Sequence, residues 1–245
     1  MTGAQVGVMA ALASAAAFSQ SVSGFGFSLL LVPPLSLAIG PKEAVVTATL
    51  LGLVTSAFTI ATTAGAVDWR LAASLAASAT VGIPVGLAIL VRSNPAALEV
   101  GITVVVLLAV VATWRGVSYA AESRFTDVAA GVCSGVLSAS AGMAGPPLVL
   151  HFHNRGIGRD SFKGTLNVLF FLSGAITGAL FIWLGRVPGG DIAPLAVVAP
   201  LTAGAWVLGR RVRLDDARFR DLSMSILTIS CLAALANIAG LGRLL

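Results

Sequence analysis

Three long apolar runs without a charged residue constrain the fold of this chain more than any other feature. The runs cover Leu71–Val91, Gly164–Gly185 and Leu222–Leu241. Each has about 20 residues, which at ~1.5 Å per residue is enough to cross a hydrocarbon core of ~30 Å. Only 10% of the 245 residues are charged, whereas an ordinary soluble domain has about 25%. The sequence therefore predicts an all-α integral membrane protein.

The net charge of +5 does not indicate a nucleic-acid partner in a chain of this class. Basic residues at the ends of membrane helices set the orientation and contact anionic lipid. The first apolar segment follows Met1 without a preceding positive stretch, so we expect a mature span and not a cleaved signal. The lipid bilayer is the expected partner, and the sequence leaves association into a homo-oligomer open.

Two stretches rich in glycine and proline interrupt the apolar runs. The first contains Gly24 and Gly26, and the second contains Gly142 and Gly145. Broken backbone persists in a membrane only where it is buried in protein or lines a polar cavity. Opened helix ends present N–H groups and the positive end of the helix dipole, which favours an anion. We expect 24–28 and 142–147 to be non-helical, to face each other near mid-membrane and to hold a solute between them.

The two breaks belong to a weak internal duplication. A shift of 116 residues aligns Gly26 with Gly142, and Thr49 with Thr165. The order of break, short apolar piece, basic turn and long span also recurs. We therefore predict two homologous repeats of about four transmembrane helices each, at 1–114 and 128–245, joined by a linker at 115–127. A discontinuous helix begins each repeat.

The direction of the second repeat has two solutions. If each broken stretch crosses the membrane once, the two repeats are parallel. If each is a hairpin that returns to its starting side, the repeats are inverted, which is common among transporters. The distribution of basic residues is compatible with both topologies.

Two pairs of motifs carry a resemblance to a known family. The first pair is Gly24-x-Gly26 leading to Val32-Pro33, and Gly142-x-x-Gly-Pro-Pro147. The second pair is Gly40-Pro-Lys-Glu-Ala-Val-Val-Thr-Ala-Thr-Leu50, and Gly156 followed by Lys163-Gly-Thr-Leu166. In these motifs the chain resembles the sulfite exporter TauE/SafE family over nearly its whole length. The resemblance implies two homologous halves and transport of sulfite, an organosulfonate or a similar anion. The second motif departs from the glycine- and leucine-rich form that is usual in the family, at Ser-Ala-Gly-Met-Ala-Gly145 and at His151-Phe-His153. The identity of the transported anion therefore stays open.

Hydrogen-bond donors near the breaks are the candidate anion ligands. An oxyanion that must also be released needs donors more than full positive charge, and serines such as Ser138 supply hydroxyls while glycines let backbone amides approach. The same residues could instead pack helices closely. The predicted substrate-binding residues are Ser23, Gly24, Phe25, Gly26, Ser28, Thr49, Ser140, Gly142, Gly145, His151, Lys163, Thr165 and Asn167.

Lys163 and the two histidines each have more than one interpretation. Lys163 is the best single cation for an anion, or it extends to the interface as an anchor. His151 and His153 could respond to protons, line a polar space or, less readily, bind a metal.

The sequence predicts a secondary transporter or facilitator in the cytoplasmic membrane, and not an enzyme. It predicts no cofactor or metal, and no motif for nucleotide hydrolysis or proteolysis occurs. The alternatives are a metal- or cofactor-dependent membrane enzyme using His151 and His153, or an anion channel.

Overall fold

This computed structural model describes residues 2–114, 123–187, 193–212 and Ser225. These residues form helices joined by short turns, with no strand among them, which confirms the predicted all-α class. The predicted span Leu222–Leu241 and residues 115–122 of the predicted linker lie outside the described ranges, Ser225 apart. The helices are α1 (Gly3–Ser23), α2 (Phe27–Ile39), α3 (Pro41–Thr63), α4 (Trp69–Arg92), α5 (Pro95–Trp114), α6 (Arg124–Ala141), α7 (Gly145–Asn154), α8 (Arg159–Trp183) and α9 (Ala193–Gly209), and a 3₁₀ turn, Ala64–Ala66, follows α3.

Four of the described helices are long and apolar enough to cross a membrane. They are α1, α3 with its 3₁₀ turn, α4 and α8. Large apolar side chains are exposed on the outside of the helices, for example Val81 at 67% and Leu108 at 62%. Lipid, and not water, is the medium in which so much exposed apolar surface is stable. The fold is that of a multi-pass membrane protein.

The first break is the turn of a helical hairpin. Near the start of α1, Gln5 Nε2 donates to the carbonyl of Ala38, near the end of α2, at 3.0 Å. Because α2 also packs on α1, the chain returns to the end from which it started. The next helix, α3, begins at Pro41, beside the base of this first hairpin.

The second break is also a hairpin turn, between α6 and α7. Asp127 lies in the first turn of α6, and its carboxylate lies 2.7 Å from His151 Nε2 and 2.9 Å from Arg155 Nη2. His151 and Arg155 are at the end of α7, so polar contacts to Asp127 join the two ends of this second hairpin at its base. Of the two arrangements compatible with the sequence, the hairpin is observed at both breaks.

The non-helical turns are shorter than predicted. Only residues 24–26 and 142–144 lie between helices, because α2 begins at Phe27 and α7 begins at Gly145. The Pro146-Pro147 pair occupies the first turn of α7, where proline is tolerated because those amides have no acceptor within the helix. Helix α6 begins at Arg124, inside the predicted linker, because Ser123 and Thr126 form a capping box there.

Glycines bring α4 and α6 into the closest contact in the described fold. A Cβ atom on Gly82 would clash with the carbonyl oxygen of Val132, and one on Gly135 would clash with that of Ala79. Small residues on both helices therefore allow the two backbones to approach closely. Helices α1 and α9, and helices α3 and α8, form the next most extensive pairs.

Candidate functional site

A cavity of about 60 Å³ lies where the turns of the two hairpins meet. It has room for roughly four water molecules at ~15 Å³ each, or for one small oxyanion. Gly26 contributes the first turn, Gly142 contributes the second, and α1, α3 and α8 contribute further lining residues. The residues that line it are Gln20, Gly26, Phe27, Ser28, Leu29, Ala48, Thr49, Gly52, Ser56, Ser138, Gly142, Met143, Ala144, Gly145, Phe170 and Gly174.

The first turn depends on two glycines with positive φ. Gly24 has φ +86° and Gly26 has φ +94°, a region that residues with a Cβ atom rarely adopt. The Ser23 hydroxyl supports the turn, because it lies 2.8 Å from the carbonyl oxygen of Ser19 and 2.7 Å from that of Phe25 and can donate to either. Because of this geometry, the next helix starts at the cavity wall.

The second turn is built in a related way. Gly142 has φ +68°, and its amide donates to the carbonyl of Ser138 at 3.1 Å. The Ser134 hydroxyl donates to the carbonyl of Ala144 at 3.0 Å, which fixes the far side of the turn. Helix α7 then begins at Gly145, whose backbone also lines the cavity.

The N-termini of α2 and α7 both lie at the cavity. The amides of Phe27, Ser28 and Leu29 occupy the first turn of α2, where no carbonyl of the same helix can accept from them. Gly145 supplies the corresponding amide of α7, because the two prolines that follow have none. Two partial positive charges therefore converge on one space, which favours a negative ligand.

Three serine hydroxyls at the cavity have no hydrogen-bond partner in the described parts of the chain. Ser28 is half-buried, and Ser56 and Ser138 are 2% and 5% exposed. Thr49 differs, because its hydroxyl donates to the carbonyl of Val45 at 2.8 Å. The three serines come from α2, α3 and α6, so the donors approach the cavity from different directions.

A buried amide network supports the wall formed by α1. Gln20 lines the cavity, and its Nε2 donates to Asn167 Oδ1 at 2.8 Å. Gln20 Oε1 accepts from the Thr55 hydroxyl at 2.9 Å. Asn167 Nδ2 in turn donates to the carbonyl of Gly24 at 2.8 Å. The network joins α1, α3 and α8 and holds the first turn against α8.

The described residues give the cavity an electrically neutral wall. Among the described residues, every lining side chain is apolar, a hydroxyl, an amide or glycine. A ligand would be held by hydrogen bonds and helix dipoles alone. Such a site can bind an anion and also release it, because no opposite formal charge needs to be separated from the ligand.

The profile of the sulfite exporter TauE/SafE family matches residues 9–234. The chain belongs to this family. The resemblance carried by the glycine motifs is thereby confirmed. The family is described as one of exporters, which agrees with a multi-pass membrane protein.

A curated relative of this TauE/SafE chain gives the family a more specific description. A probable sulfite/organosulfonate exporter TauE from Cupriavidus necator is 26% identical over 212 residues, which covers 82% of this chain and 81% of the relative. No solved structure matches the chain.

Five of the predicted binding residues line the cavity. They are Gly26, Ser28, Thr49, Gly142 and Gly145. The others lie elsewhere, and participation in binding stays a prediction for both groups. Away from the lining are Ser23, Gly24, Phe25, Ser140, His151, Lys163, Thr165 and Asn167.

Several of these other residues support the hairpin turns. The ammonium of Lys163 donates to the carbonyl of Val22 at 2.5 Å, at the end of α1. The Phe25 ring meets Phe162 edge to face, with centroids 6.2 Å apart. Thr165 is fully buried and accepts from the amide of Asp68 at 2.9 Å.

His151 and His153 point to different environments. His151 is fully buried against Asp127 at the base of the second hairpin, whereas His153 is exposed. The Ser140 hydroxyl donates to the carbonyl of Val136 within α6. No group of three metal-ligating side chains occurs among the residues that the structure describes.

The lining also includes three residues that were not predicted from the sequence: Gln20, Ser56 and Phe170. Gln20 carried a usable signal, because a large amide deep in an apolar membrane helix is expected to face the protein interior. Ser56 lies one helical turn after Gly52, and the pair forms a small polar patch on α3. Phe170 gave no signal, because an aromatic residue in an apolar helix is compatible with any packing.

Proposed function

We propose that this chain is a secondary transporter or facilitator that moves a small sulfur-containing anion, such as sulfite or a sulfonate, across the cytoplasmic membrane. The anion would occupy the cavity between the two hairpin turns. The observation that carries the proposal is the convergence of two helix N-termini and three unpartnered hydroxyls on one neutral cavity. The relative described as a probable sulfite/organosulfonate exporter supports the choice of sulfur anions.

The binding chemistry would be that of neutral donors around an oxyanion. The amides of Phe27, Ser28 and Leu29 would contact one side of the anion, and the hydroxyls of Ser56 and Ser138 the other. Hydrogen bonds to a charged ligand contribute roughly 1.5–3 kcal/mol each. The protein would bind and release the anion without chemical change, so we propose no enzymatic activity, cofactor or metal.

We propose further that 1–114 and 128–245 are inverted repeats joined by 115–127. Support comes from exchanged packing: α1 packs on α9 and α6 packs on α4, whereas α3 and α8 pack on each other. Each turn also faces an equivalent place in the other half. A Cβ atom on Gly24 would meet Lys163, the fifth residue of α8, and one on Gly142 would meet Val45, the fifth residue of α3.

Alternating access would follow from this arrangement. In many transporters one repeat rocks against the other around a site at the repeat interface. Here the cavity lies between the turns of two hairpins that would enter the membrane from opposite sides. Movement of one hairpin would open the cavity to one side while the other hairpin keeps it closed.

Flux measurements on purified protein in liposomes test the proposal. We expect saturable movement of sulfite and methanesulfonate, with Ser56→Ala and Ser138→Ala each weakening apparent affinity about tenfold, since ~1.4 kcal/mol corresponds to a factor of ten. Ser173→Ala is the matched control, because Ser173 is equally buried but donates to the carbonyl of Leu169 in its own helix.

Three results would contradict the proposal. Flux that rises linearly with concentration would indicate a channel. Stoichiometric metal in the purified protein together with conversion of the anion would indicate an enzyme. An equal effect of Ser56→Ala and Ser173→Ala would remove the cavity hydroxyls from the site.

A further inference from the structure

We infer that the cavity selects anions that carry a single charge: bisulfite over sulfite, and sulfonates over sulfate or thiosulfate. The inference rests on the proposed function and adds the charge state of the transported species. It follows from the neutrality of the cavity and from the kind of donor that lines it.

The desolvation cost and the binding gain depend differently on the charge of the ligand. The cost of moving an ion out of water grows with the square of its charge. The gain from fixed dipoles and neutral hydrogen-bond donors grows only in proportion to the charge. Doubling the charge therefore raises the cost more than the gain, unless a cation in the site makes up the difference.

The cavity has no such cation among the described residues. Its donors are the first amides of α2, the amide of Gly145, the Gln20 side chain and the hydroxyls of Ser28, Ser56 and Ser138. The long apolar run of the sequence beyond α9, Leu222–Leu241, also carries no charged residue.

Charged and titratable side chains of the lining helices lie outside the cavity. Lys163 donates to the carbonyl of Val22 and does not line the cavity, whereas Gln20, which is bonded to Asn167, does. Asp127, His151 and Arg155 form their cluster at the base of the second hairpin. The other charged and titratable residues that the structure describes on the lining helices do not line the cavity. They are Lys42, Glu43, Arg124, Cys133, His153, Arg159 and Asp160.

The size of the cavity also favours a compact headgroup. The Cβ position of Gly145 lies 3.6 Å from the Phe170 ring, and that of Gly52 lies 3.6 Å from the Phe27 ring. The cavity walls are therefore close together at these two glycines. A cavity of about 60 Å³ leaves little room beside a small oxyanion for the additional water that would screen a second charge.

Sulfite chemistry makes the inference testable without changing the protein. Bisulfite and sulfite interconvert near neutral pH, whereas methanesulfonate carries one charge at every pH of interest. If only the monoanion binds, the apparent dissociation constant for total sulfite increases about tenfold per pH unit once the dianion predominates. Methanesulfonate reports any titration of the protein itself, since its own charge does not change.

The experiment is equilibrium binding of sulfite, methanesulfonate, sulfate and thiosulfate to the full chain in detergent, at several pH values. We expect the ratio of the sulfite to the methanesulfonate dissociation constant to increase with pH, and sulfate and thiosulfate to bind at least tenfold more weakly than methanesulfonate. A constant ratio, or sulfate binding as tightly as methanesulfonate, would overturn the inference and leave the proposed function standing. Absence of binding by both sulfite and methanesulfonate would overturn the proposed function as well.

A charge-addition variant gives a second test. Ser56→Lys would place an ammonium at the cavity, and it should reduce the preference for methanesulfonate over sulfate. Gly65→Lys is the control, because Gly65 lies in the exposed 3₁₀ turn with no atom within 4 Å of its Cβ position. An equal shift of the preference in both variants would contradict the assignment of charge selection to the cavity. If Ser56→Lys does not fold, the pH dependence of the unmodified chain decides the question alone.

Discussion

Asn167 donates a hydrogen bond from Nδ2 to the carbonyl of Gly24 at 2.8 Å, across 143 positions of sequence. Both residues are buried, and the bond joins the turn of the first hairpin to the middle of α8. The same side chain accepts from Gln20, which lines the cavity. The amide of Asn167 therefore determines where the first turn, and with it the N-terminus of α2, lies relative to the cavity.

Replacing Asn167 should lower both stability and affinity. Asn167→Ala leaves the Gly24 carbonyl and the Gln20 amide without a buried partner. Each unsatisfied group lowers the free energy of unfolding by about 1–3 kcal/mol. The effect should be strongly non-additive with Gln20→Ala, because the two side chains share one network. Thermal unfolding of the single and double variants in detergent measures the coupling. Additive effects of the two substitutions would contradict the network.

The turns could be predicted from sequence because their cause is local. Gly24, Gly26 and Gly142 have positive φ, and glycine is the residue that adopts it without strain. The direction of the chain after each turn could not be predicted, because the hydropathy of α2 and α7 is the same for a hairpin and for a crossing. That direction depends on contacts distant in sequence, such as Gln5 with Ala38.

The site could be predicted only in part for a related reason. Ser28 and Gly145 adjoin the turns, so a search around the glycines found them. Ser56 is a serine in a long apolar helix, and only the packing of α3 against both hairpins brings it to the cavity. Lys163 lies beside the first turn, but its ammonium contacts the Val22 carbonyl and does not line the cavity, so its part in anion binding stays a prediction.

The contact between α4 and α6 should tolerate no added side chain. Gly135→Ala places a methyl group against the carbonyl of Ala79, and overpacking of this kind costs typically 1–3 kcal/mol. Gly204→Ala is the control, since nothing lies within 4 Å of that Cβ position. We expect a lower unfolding temperature in detergent for Gly135→Ala alone. Equal unfolding temperatures for the two variants would contradict the close approach of the helices.

The glycines of the turns should be required for transport and not for insertion. Gly26→Leu and Gly142→Leu combine an unfavourable positive φ, at roughly 1–2 kcal/mol, with a side chain that fills the cavity. We expect both to abolish flux at normal membrane abundance. Gly142→Ala should retain part of the activity, because its Cβ position is 3.4 Å or more from every neighbour. Gly101→Leu, on an open helical position, should be neutral. Normal flux in both leucine variants would exclude the turns from the pathway.

The last prediction concerns Lys163. We expect Lys163→Gln to weaken anion binding more than Arg210→Gln, although each removes one positive charge. The ammonium of Lys163 contacts the end of α1 beside the first turn, whereas Arg210 lies next to Trp206 at the end of α9, with its guanidinium 5.9 Å from the ring centre. A glutamine at 163 can still donate a hydrogen bond to the Val22 carbonyl, so Lys163→Leu should weaken binding further than Lys163→Gln. Binding titrations at low and high salt separate the causes, because an exposed charge is screened over ~8 Å at physiological ionic strength. The opposite result would be that Lys163→Gln and Lys163→Leu weaken anion binding equally, and that high salt weakens binding by the unmodified protein to the same extent. The lysine would then act through its charge and not by holding the turn.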